Sequence, residues 1–425
     1  MLLRALQRRL SCRFYSQEAF DEKVLEGWVK KSIRTGKITF MHVYDGRANG
    51  TVQAVVPKEV GRNFKVGSAV RVKGRWVKSQ GAQQSHELLA SEVEKMAKDQ
   101  DMVSRTELED LRANPEARFT IPEFAAVLKT RSRLNHATHM FFEDTDYYLI
   151  DTPLLTLNEC EGAGEVFNVV TDEDKQFFGE RNVFLPVSAQ LHLESLICGL
   201  PNVYTLGTAF RAEKCMSSKH LSEFRMLEAE SAFVDNLDRL CDIVECYVRY
   251  IMEKSREWKS DFEQFKDGEC LCDSDYSRPF PRITYNEAVD ILTKKGNVLS
   301  QRLSKKNELE LVEIMEGPLF VQRYPAEQKP FYMRVNDQNQ AECFDLLAPV
   351  VGELAGGSIR EYDKDALSKR LPKQDLEWYL NLRSNSYPRS GGFGLGMERF
   401  MQSLFGIHNI KDTVAFPRWY KHCKC

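Results

Sequence analysis

Between Val24 and Val93 the chain alternates apolar and polar residues in short runs. Leu25-Glu26-Gly27-Trp28-Val29, Ile38-Thr39-Phe40-Met41-His42-Val43-Tyr44, Thr51-Val52-Gln53-Ala54-Val55-Val56 and Ala69-Val70-Arg71-Val72 are rich in β-branched and aromatic residues, with turn formers between them. Asp45-Gly46 opens a hairpin signal that runs to Gly50. Residues 20–100 therefore predict a small all-β barrel of about five strands, with the OB-fold as the natural candidate. An SH3-like barrel is the alternative that the same local pattern allows.

The pattern then changes. Residues 101–118 are charged and helix-permissive, include Asn114-Pro115, and read as a linker. From Pro122 to Phe142 apolar positions such as Phe124, Val127, Leu128, Leu134 and Met140 recur at helical spacing. Beyond Tyr147 strands and helices intermix, and Phe233 to Trp258 reads as a second amphipathic helix. Residues 119–425 form the larger domain, with an insertion at about 259–300 whose first part, 259–280, reads as a polar surface excursion. The fold class is α+β.

Composition bounds the function. At 425 residues there is room for two domains, and a net charge of only -3 means that a nucleic-acid partner would meet a local basic face. The 11 cysteines show no paired CxxC spacing, and Cys270-Leu271-Cys272 and Cys423-Lys424-Cys425 are too cramped for a zinc site on their own, so reduced thiols are expected. No apolar run approaches the ~20 residues of a membrane span, and no membrane partner is expected. The first 17 residues stand apart: Arg4, Arg8, Arg9 and Arg13 occur without an acid, while Leu2, Leu3, Leu6 and Leu10 share a helical face. This pattern predicts a mitochondrial transit segment over residues 1–15 and a mitochondrial matrix location.

Two arginines carry the strongest chemical signal. Arg211 lies in Phe210-Arg211-Ala212-Glu213, and Arg399 closes Gly394-Leu395-Gly396-Met397-Glu398-Arg399. Forked guanidinium cations suit polyphosphate recognition, and only a folded site could unite residues so far apart. Val203 to Glu213 alternates as a strand that turns Arg211 and Glu213 to one face, Lys214 to His220 reads as a loop, and Phe224 to Phe233 resumes as a strand with Glu228 and Glu230 on one face. The resulting hairpin offers Arg211 for an α-phosphate, Lys219 and His220 for outer phosphates, and the Phe224 ring for stacking on adenine. A merely salt-bridged amphipathic hairpin would alternate in the same way. Asp345 and Glu353 are two carboxylates suited to Mg²⁺ held jointly with phosphate oxygens. Gly356-Gly357 lets a ligand approach the backbone, and Arg360 lies within reach of a small substrate. Gly391 to Phe405 reads as a Gly-rich strand that becomes a helix near Met397, placing Gly396 and Arg399 at its positive end.

With FRAE at Phe210, the return His220-Leu221-Ser222-Glu223-Phe224, GELAGGSIRE at Gly352, GFGLGMER at Gly392 and Phe416-Pro417-Arg418, the chain from about Leu25 to Arg418 resembles the class II aminoacyl-tRNA synthetases of the aspartyl/asparaginyl subgroup. Within it the chain is most similar to the asparaginyl branch, mitochondrial type. The resemblance implies a roughly seven-stranded antiparallel sheet flanked by helices, preceded by an OB-fold barrel. It implies ATP as substrate, Mg²⁺ as cofactor, L-asparagine and tRNA(Asn) as partners, and a homodimer formed through the helix at 122–142 and a strand ending at Pro153. The implied reaction is formation of asparaginyl-adenylate followed by acyl transfer to tRNA. Arg211, Glu213 and Arg399 are the expected catalytic residues. Lys219, His220, Phe224, Glu353 and Gly396 join them around ATP.

Aspartate and asparagine differ by one charge. In Ser188-Ala189-Gln190-Leu191-His192-Leu193 the resembled aspartyl enzymes carry a lysine where Leu193 stands, which favours a neutral carboxamide substrate here. Leu193 as an ordinary core residue is the competing reading. Arg360 is expected to donate to the carboxamide oxygen, Glu228 and Glu161 (in a mobile loop, Cys160 to Glu165) to receive substrate N–H groups, Gln190 to contact the α-ammonium, and Ser188 to complete the amino-acid site. Phe40 and Gln53 match a stacking aromatic and a base-reading amide for the central anticodon base. An aspartyl or non-discriminating enzyme, a non-catalytic tRNA-binding paralogue, and amide synthesis on the same scaffold are the other readings. Departures from the subgroup are Lys214, Lys219 and Ala415, where asparagine, arginine and proline are usual.

Overall fold

The computed structural model describes residues 22–47, 50–79, 81, 84–98, 108–114, 118–119, 121–157, 166–171, 177–179, 182–258, 270–274, 277–297, 302–372, 376–384 and 386–424. The expected transit segment and Glu161 lie outside the described residues. The chain divides into two compact units, Met1–Leu108 with Phe119–Ala125, and Glu109–Arg118 with Ala126–Cys425.

In the first unit β1 (Lys23–Thr35), β2 (Ile38–Tyr44), β3 (Val52–Pro57), β4 (Ala69–Lys78) and β5 (His86–Lys95) close a barrel in the order β1-β2-β3-β5-β4. Alternation decides what fills it: Val29, Met41, Val43, Ala54, Val56, Val70, Val72 and Leu88 point inward and pack together. Phe40 pairs with Val55 and His42 with Gln53, so Phe40 and Gln53 share the opposite, outer face, both half-buried. The Gln53 amide nitrogen donates to Glu87 at 2.8 Å. Its amide oxygen is the atom left to accept from a base N–H.

The second unit is built on α1 (Pro122–Asp144), β6 (Tyr148–Leu149), β7 (Asn168–Val169), β8 (Val183–Phe184), α2 (Gln190–Leu196), β9 (Asn202–Phe210), β10 (Glu223–Ala232), α3 (Leu237–Arg256), β11 (Arg282–Thr284), α4 (Tyr285–Lys294), α5 (Lys305–Ile314), β12 (Leu319–Gln322), β13 (Cys343–Ala348), β14 (Gly352–Ile359), α6 (Glu377–Leu382), β15 (Ser390–Gly396) and α7 (Met397–Phe405). Its main sheet has eight strands in the order β11-β12-β13-β14-β15-β10-β9-β6. The expected antiparallel sheet is thus its centre, and the two edge pairs, β11 with β12 and β6 with β9, are parallel. β7 and β8 form a separate pair. Period two splits the sheet's side chains between two apolar cores. Phe320, Phe344, Leu346, Leu227 and Leu395 join Val127, Leu134 and Phe142 of α1, Val244, Tyr247 and Ile251 of α3 and Phe400 and Leu404 of α7. Val321, Cys343 and Leu347 face the other way, onto Leu191, Ala288, Leu292, Leu311 and Tyr379. Each such aliphatic side chain contributes roughly 1.5–3 kcal/mol by leaving water.

Three local expectations change. The second helix starts at Leu237, not Phe233, because Phe233 takes φ 60° and Asn236 caps the helix by accepting from the Arg239 amide at 2.9 Å. The excursion at 259–280 is not all surface: Cys270, Leu271, Cys272 and Phe280 are buried in the first core, and β11 and α4 follow within the insertion. The sulfurs of Cys270 and Cys272 lie 3.2 Å apart, in hydrogen-bond contact. The linker's end is anchored to the larger unit, where Arg112 makes a forked pair with Asp412 at 3.0 and 2.8 Å and buried Arg118 donates to the Lys411 carbonyl at 2.7 Å.

Candidate active site

The hairpin of β9 and β10 pairs Phe210 with Glu223, and the Arg211 amide adds one more rung to the Ser222 carbonyl at 3.0 Å. Glu213 therefore lies in the loop beyond the strand, and strand alternation is not what brings it beside Arg211. The loop's fold does so, and both line one cleft. Every residue that the sequence assigned to ATP lines that cleft: Arg211, Glu213, Lys219, His220, Phe224, Glu353, Gly396 and Arg399. The cleft is partly open to solvent. Phe224 and Met226 reach it from one face of β10, and Glu353 and Gly356 from β14.

The cleft is cationic at one end. The Arg211 guanidinium lies 5.5 Å from the centre of the Phe224 ring, an arrangement that stiffens both for a flat base and a phosphate beside it. Arg399, in the first turn of α7, stands 4.0 Å from Glu353. Glu398, the residue before it, is buried, accepts from the Arg225 amide and pairs with Arg131 of α1 at 2.7 Å, which pins the start of α7 to β10 and α1. Lys219 donates to the carbonyls of Val350 and His408 at 3.3 Å, and burial followed by the Arg399 cation lowers its pKa. His220 Nδ1 meets the Ser217 hydroxyl at 2.6 Å and Nε2 lies 3.8 Å from Glu213; burial lowers its pKa against the pull of Glu213. A cation that the sequence did not reveal joins them. Lys305 packs its Cδ 3.4 Å from where a Gly352 Cβ would stand, and its pKa is pushed down to about 8, first by partial desolvation and then by Arg399.

Asp345 and Glu353 do converge. A Cβ on Gly356 would lie 3.4 Å from Glu353 Oε1 and 3.6 Å from Asp345 Oδ1, so both carboxylates border the gap above this glycine. Asp345 is also held by Lys329, whose ammonium donates to both its oxygens at 2.8 Å. Each carboxylate oxygen has two lone pairs, so Asp345 keeps acceptor capacity beyond this pair. Hard oxygen donors beside a phosphate-sized cleft fit Mg²⁺. Burial raises the Asp345 pKa against the pull of Lys329, while Glu308, whose carboxylate accepts from the Glu353 amide at 3.1 Å, is pushed by burial to about 7.

The amino-acid residues gather beside the cleft on α2, β10 and β14. Glu228 accepts from the Ser188 hydroxyl and from the Ala189 amide at 3.0 Å. Gln190 donates its amide nitrogen to Glu194 at 2.8 Å, leaving its oxygen as an acceptor suited to an ammonium. Arg360 is buried and forked onto Glu230 (Nη2 at 2.8 Å, Nε at 3.1 Å), with Nη1 on the Ser358 hydroxyl at 2.8 Å. Among the described residues, three of its five N–H groups are engaged and two are left to donate. Burial alone would weaken this cation, but Glu230 and Glu194 hold its pKa above the ordinary value; burial pushes Glu230 up to about 7 against the pull of Arg360. Leu193, expected at the amino-acid site, is instead buried with Ile197, Val203 and Ala232 in a small apolar cluster, as its competing reading as a core residue had it. Glu194, Arg383, Tyr379 and Tyr387, which buttress Arg360, were not picked out from the sequence; the four-residue helical step from Gln190 to Glu194 is the one signal that could have reached any of them.

With this geometry in place, the comparisons are coherent. Residues 112–420 match the family of class II tRNA synthetases (D, K and N), and residues 23–96 match the OB-fold nucleic acid binding domain. An asparaginyl-tRNA synthetase of Mus musculus is 36% identical over 440 residues, covering 96% of this chain and 92% of the mouse protein. An asparagine–tRNA ligase of Psychromonas ingrahamii is 35% identical, covering 93% and 95%. The crystal structure of the Pyrococcus horikoshii asparaginyl-tRNA synthetase complexed with asparaginyl-adenylate superposes with a TM-score of 0.87 at 31% identity, over 95% of this chain and 96% of that one. Barrel, sheet and cleft thus agree with sequence kinship over nearly the whole length: the chain belongs to the class II tRNA synthetases of the D, K and N group and is a ligase that forms aminoacyl-tRNA.

Proposed function

We propose that this enzyme is an asparaginyl-tRNA synthetase that activates L-asparagine with ATP and transfers it to tRNA(Asn). The observation that carries the reading is the junction of two subsites: the arginine-lined cleft, and beside it Arg360 with two unused donors, Glu228 and Gln190. In the first step the asparagine α-carboxylate attacks the α-phosphorus of ATP and pyrophosphate leaves with its bonding electrons. In the second, a hydroxyl of the terminal adenosine of tRNA attacks the acyl carbon and AMP departs. No protein nucleophile is needed; positioning and charge stabilisation supply the rate. Arg211 and Arg399 brace the transferring and leaving phosphates, and Phe224 holds the base. Glu353 and Asp345 would hold Mg²⁺, which supplies neutralisation of polyphosphate charge when bound.

ATP–pyrophosphate exchange with asparagine and aspartate in separate reactions tests this directly. Exchange that requires asparagine is the expected result; preference for aspartate would sink the specificity assignment.

The remaining parts have their own support. Phe40 and Gln53, diagonal neighbours on the barrel's outer face, suit stacking and reading of a splayed anticodon base. The edge strand β6 exposes Tyr148 and Leu149 at 56% and 53%, with Leu154 at 50% nearby, an apolar surface suited to a second copy of the chain. Sedimentation of the wild type as a dimer, lost in Leu149→Glu, is the check. The acid-free arginine-rich residues 1–17 support delivery to the mitochondrial matrix, testable by fusing them to a reporter.

A further inference from the structure

Behind Arg360 lies a closed set of four charges. Glu194, fully buried, accepts from Arg383 at 2.8 Å, Tyr379 at 2.6 Å, Tyr387 at 3.0 Å and Gln190 at 2.8 Å, and its Oε1 lies 3.7 Å from Arg360 Nε. Arg360 is in turn forked onto Glu230. Arg383 is fixed from its other side by the carbonyls of Glu361 at 3.0 Å and Tyr379 at 3.2 Å. The chain of contacts runs Arg383, Glu194, Arg360, Glu230: two guanidinium groups and two carboxylates.

With both carboxylates ionised the set is neutral, and that neutrality has a consequence for substrate choice. Arg360 still has N–H groups to offer a carboxamide oxygen, but its charge is matched by Glu230 and Glu194. An aspartate side chain would bring a third carboxylate to a set with two cations, with Glu228 as a further acid beside it. Removing a charge from water without a partner is strongly unfavourable. A carboxamide brings none. We propose that Glu194 is a specificity-determining positioning residue: by matching the charges of Arg383 and Arg360 it keeps the amino-acid site free of surplus positive charge, and so excludes aspartate. Glu194 does not touch the substrate. It acts through Arg360 and, by the 2.8 Å bond to Gln190, through the residue that faces the substrate's ammonium.

This inference rests on the asparagine reading above, and the experiment separates the two. ATP–pyrophosphate exchange is measured for full-length wild type and variants, and kcat/KM for asparagine is divided by kcat/KM for aspartate. A wild type that prefers aspartate sinks the asparagine reading itself. Given a wild type that prefers asparagine, Glu194→Gln, which leaves the set with one surplus cation, is expected to lower the ratio at least roughly tenfold, by raising aspartate activity relative to asparagine. Glu194→Asp keeps the charge and should hold the ratio within about threefold while asparagine activity falls. Glu194→Gln combined with Arg383→Met restores neutrality and should recover the ratio. A merely structural role predicts parallel losses for both substrates in every variant, and that outcome overturns the proposal. If Glu194→Gln alone does not fold, the doubly substituted protein decides, because a collapsed ratio in that neutral protein overturns it as well. The KM for ATP, read alongside, is expected to stay unchanged.

Discussion

Alanine at Gly392 adds one methyl group at the place where the site has no room for it. Gly392 lies on β15 directly opposite Glu230 of β10 and Ser358 of β14. A Cβ built there would sit 1.9 Å from Glu230 Oε2, 2.6 Å from Arg360 Nη2 and 2.6 Å from the Ala229 carbonyl oxygen. Real Cβ contacts do not fall below 3.0 Å, so the carboxylate must retreat by about 1.1 Å (3.0 − 1.9), while the Ala229 carbonyl is locked in the strand ladder. The fork between Glu230 and Arg360 then opens inside the protein. Disrupting a buried ion pair costs about 3–5 kcal/mol. For a unit of this size that corresponds to a Tm lowered by roughly 10 °C. Since Arg360 is the proposed partner of the substrate carboxamide, kcat/KM for asparagine should fall at least about a hundredfold in exchange, the equivalent of about 2.7 kcal/mol. Differential scanning fluorimetry and pyrophosphate exchange read the two effects. Gly396→Ala is the internal control for stability, because nothing lies within 4 Å of its added Cβ. Gly392→Ala with a Tm within about 2 °C of wild type and an unchanged asparagine KM would refute the claim that the glycine makes room for the ion pair.

Three further outcomes are expected. Arg399→Ala should lower kcat/KM for ATP by about 10²–10³ with little change in Tm, since its side chain is one-third exposed and its nearest acid, Glu353, is 4.0 Å away; a strong loss of Tm would show a structural role instead. Raising the pH through the Lys305 pKa of about 8 removes a positive charge from the phosphate end of the cleft. Because bound polyphosphate favours the protonated form, the KM for ATP should be flat below that pH and climb above it, and Lys305→Arg, charged throughout, should abolish the climb; an identical climb in that variant counts against Lys305. Phe40→Ala should raise the KM for tRNA about tenfold or more through lost stacking while leaving exchange without tRNA untouched, and reduced exchange would refute the separation of the two roles.

How far the sequence reached can be judged residue by residue. Alternation between Val24 and Val93 was enough to foresee a barrel, because period two with turn residues between is a local property of each strand. The Gly-rich strand that becomes a helix at Met397, the hairpin around Arg211 and the long helix from Pro122 were legible for the same reason. Guanidinium, carboxylate and aromatic groups at motif spacing, together with the family resemblance, singled out eight positions for ATP, and all eight line one cleft. Phe233 was misjudged because apolarity alone does not reveal a left-handed turn or the Asn236 cap that starts the helix later.

Tertiary structure decided what depends on register between distant strands and on burial. The sheet's order puts Glu230 over Gly392, and Arg360 comes from β14, some 130 positions along the chain, to meet that carboxylate. Lys329 reaches Asp345, and Arg383 reaches Glu194, across 16 and 189 positions. Taken alone, each of these residues is an ordinary charged side chain that a surface would accommodate. Only when the chain closes around them does their removal from water force charges into pairs. Those pairings determine which cations of the site remain to meet a substrate.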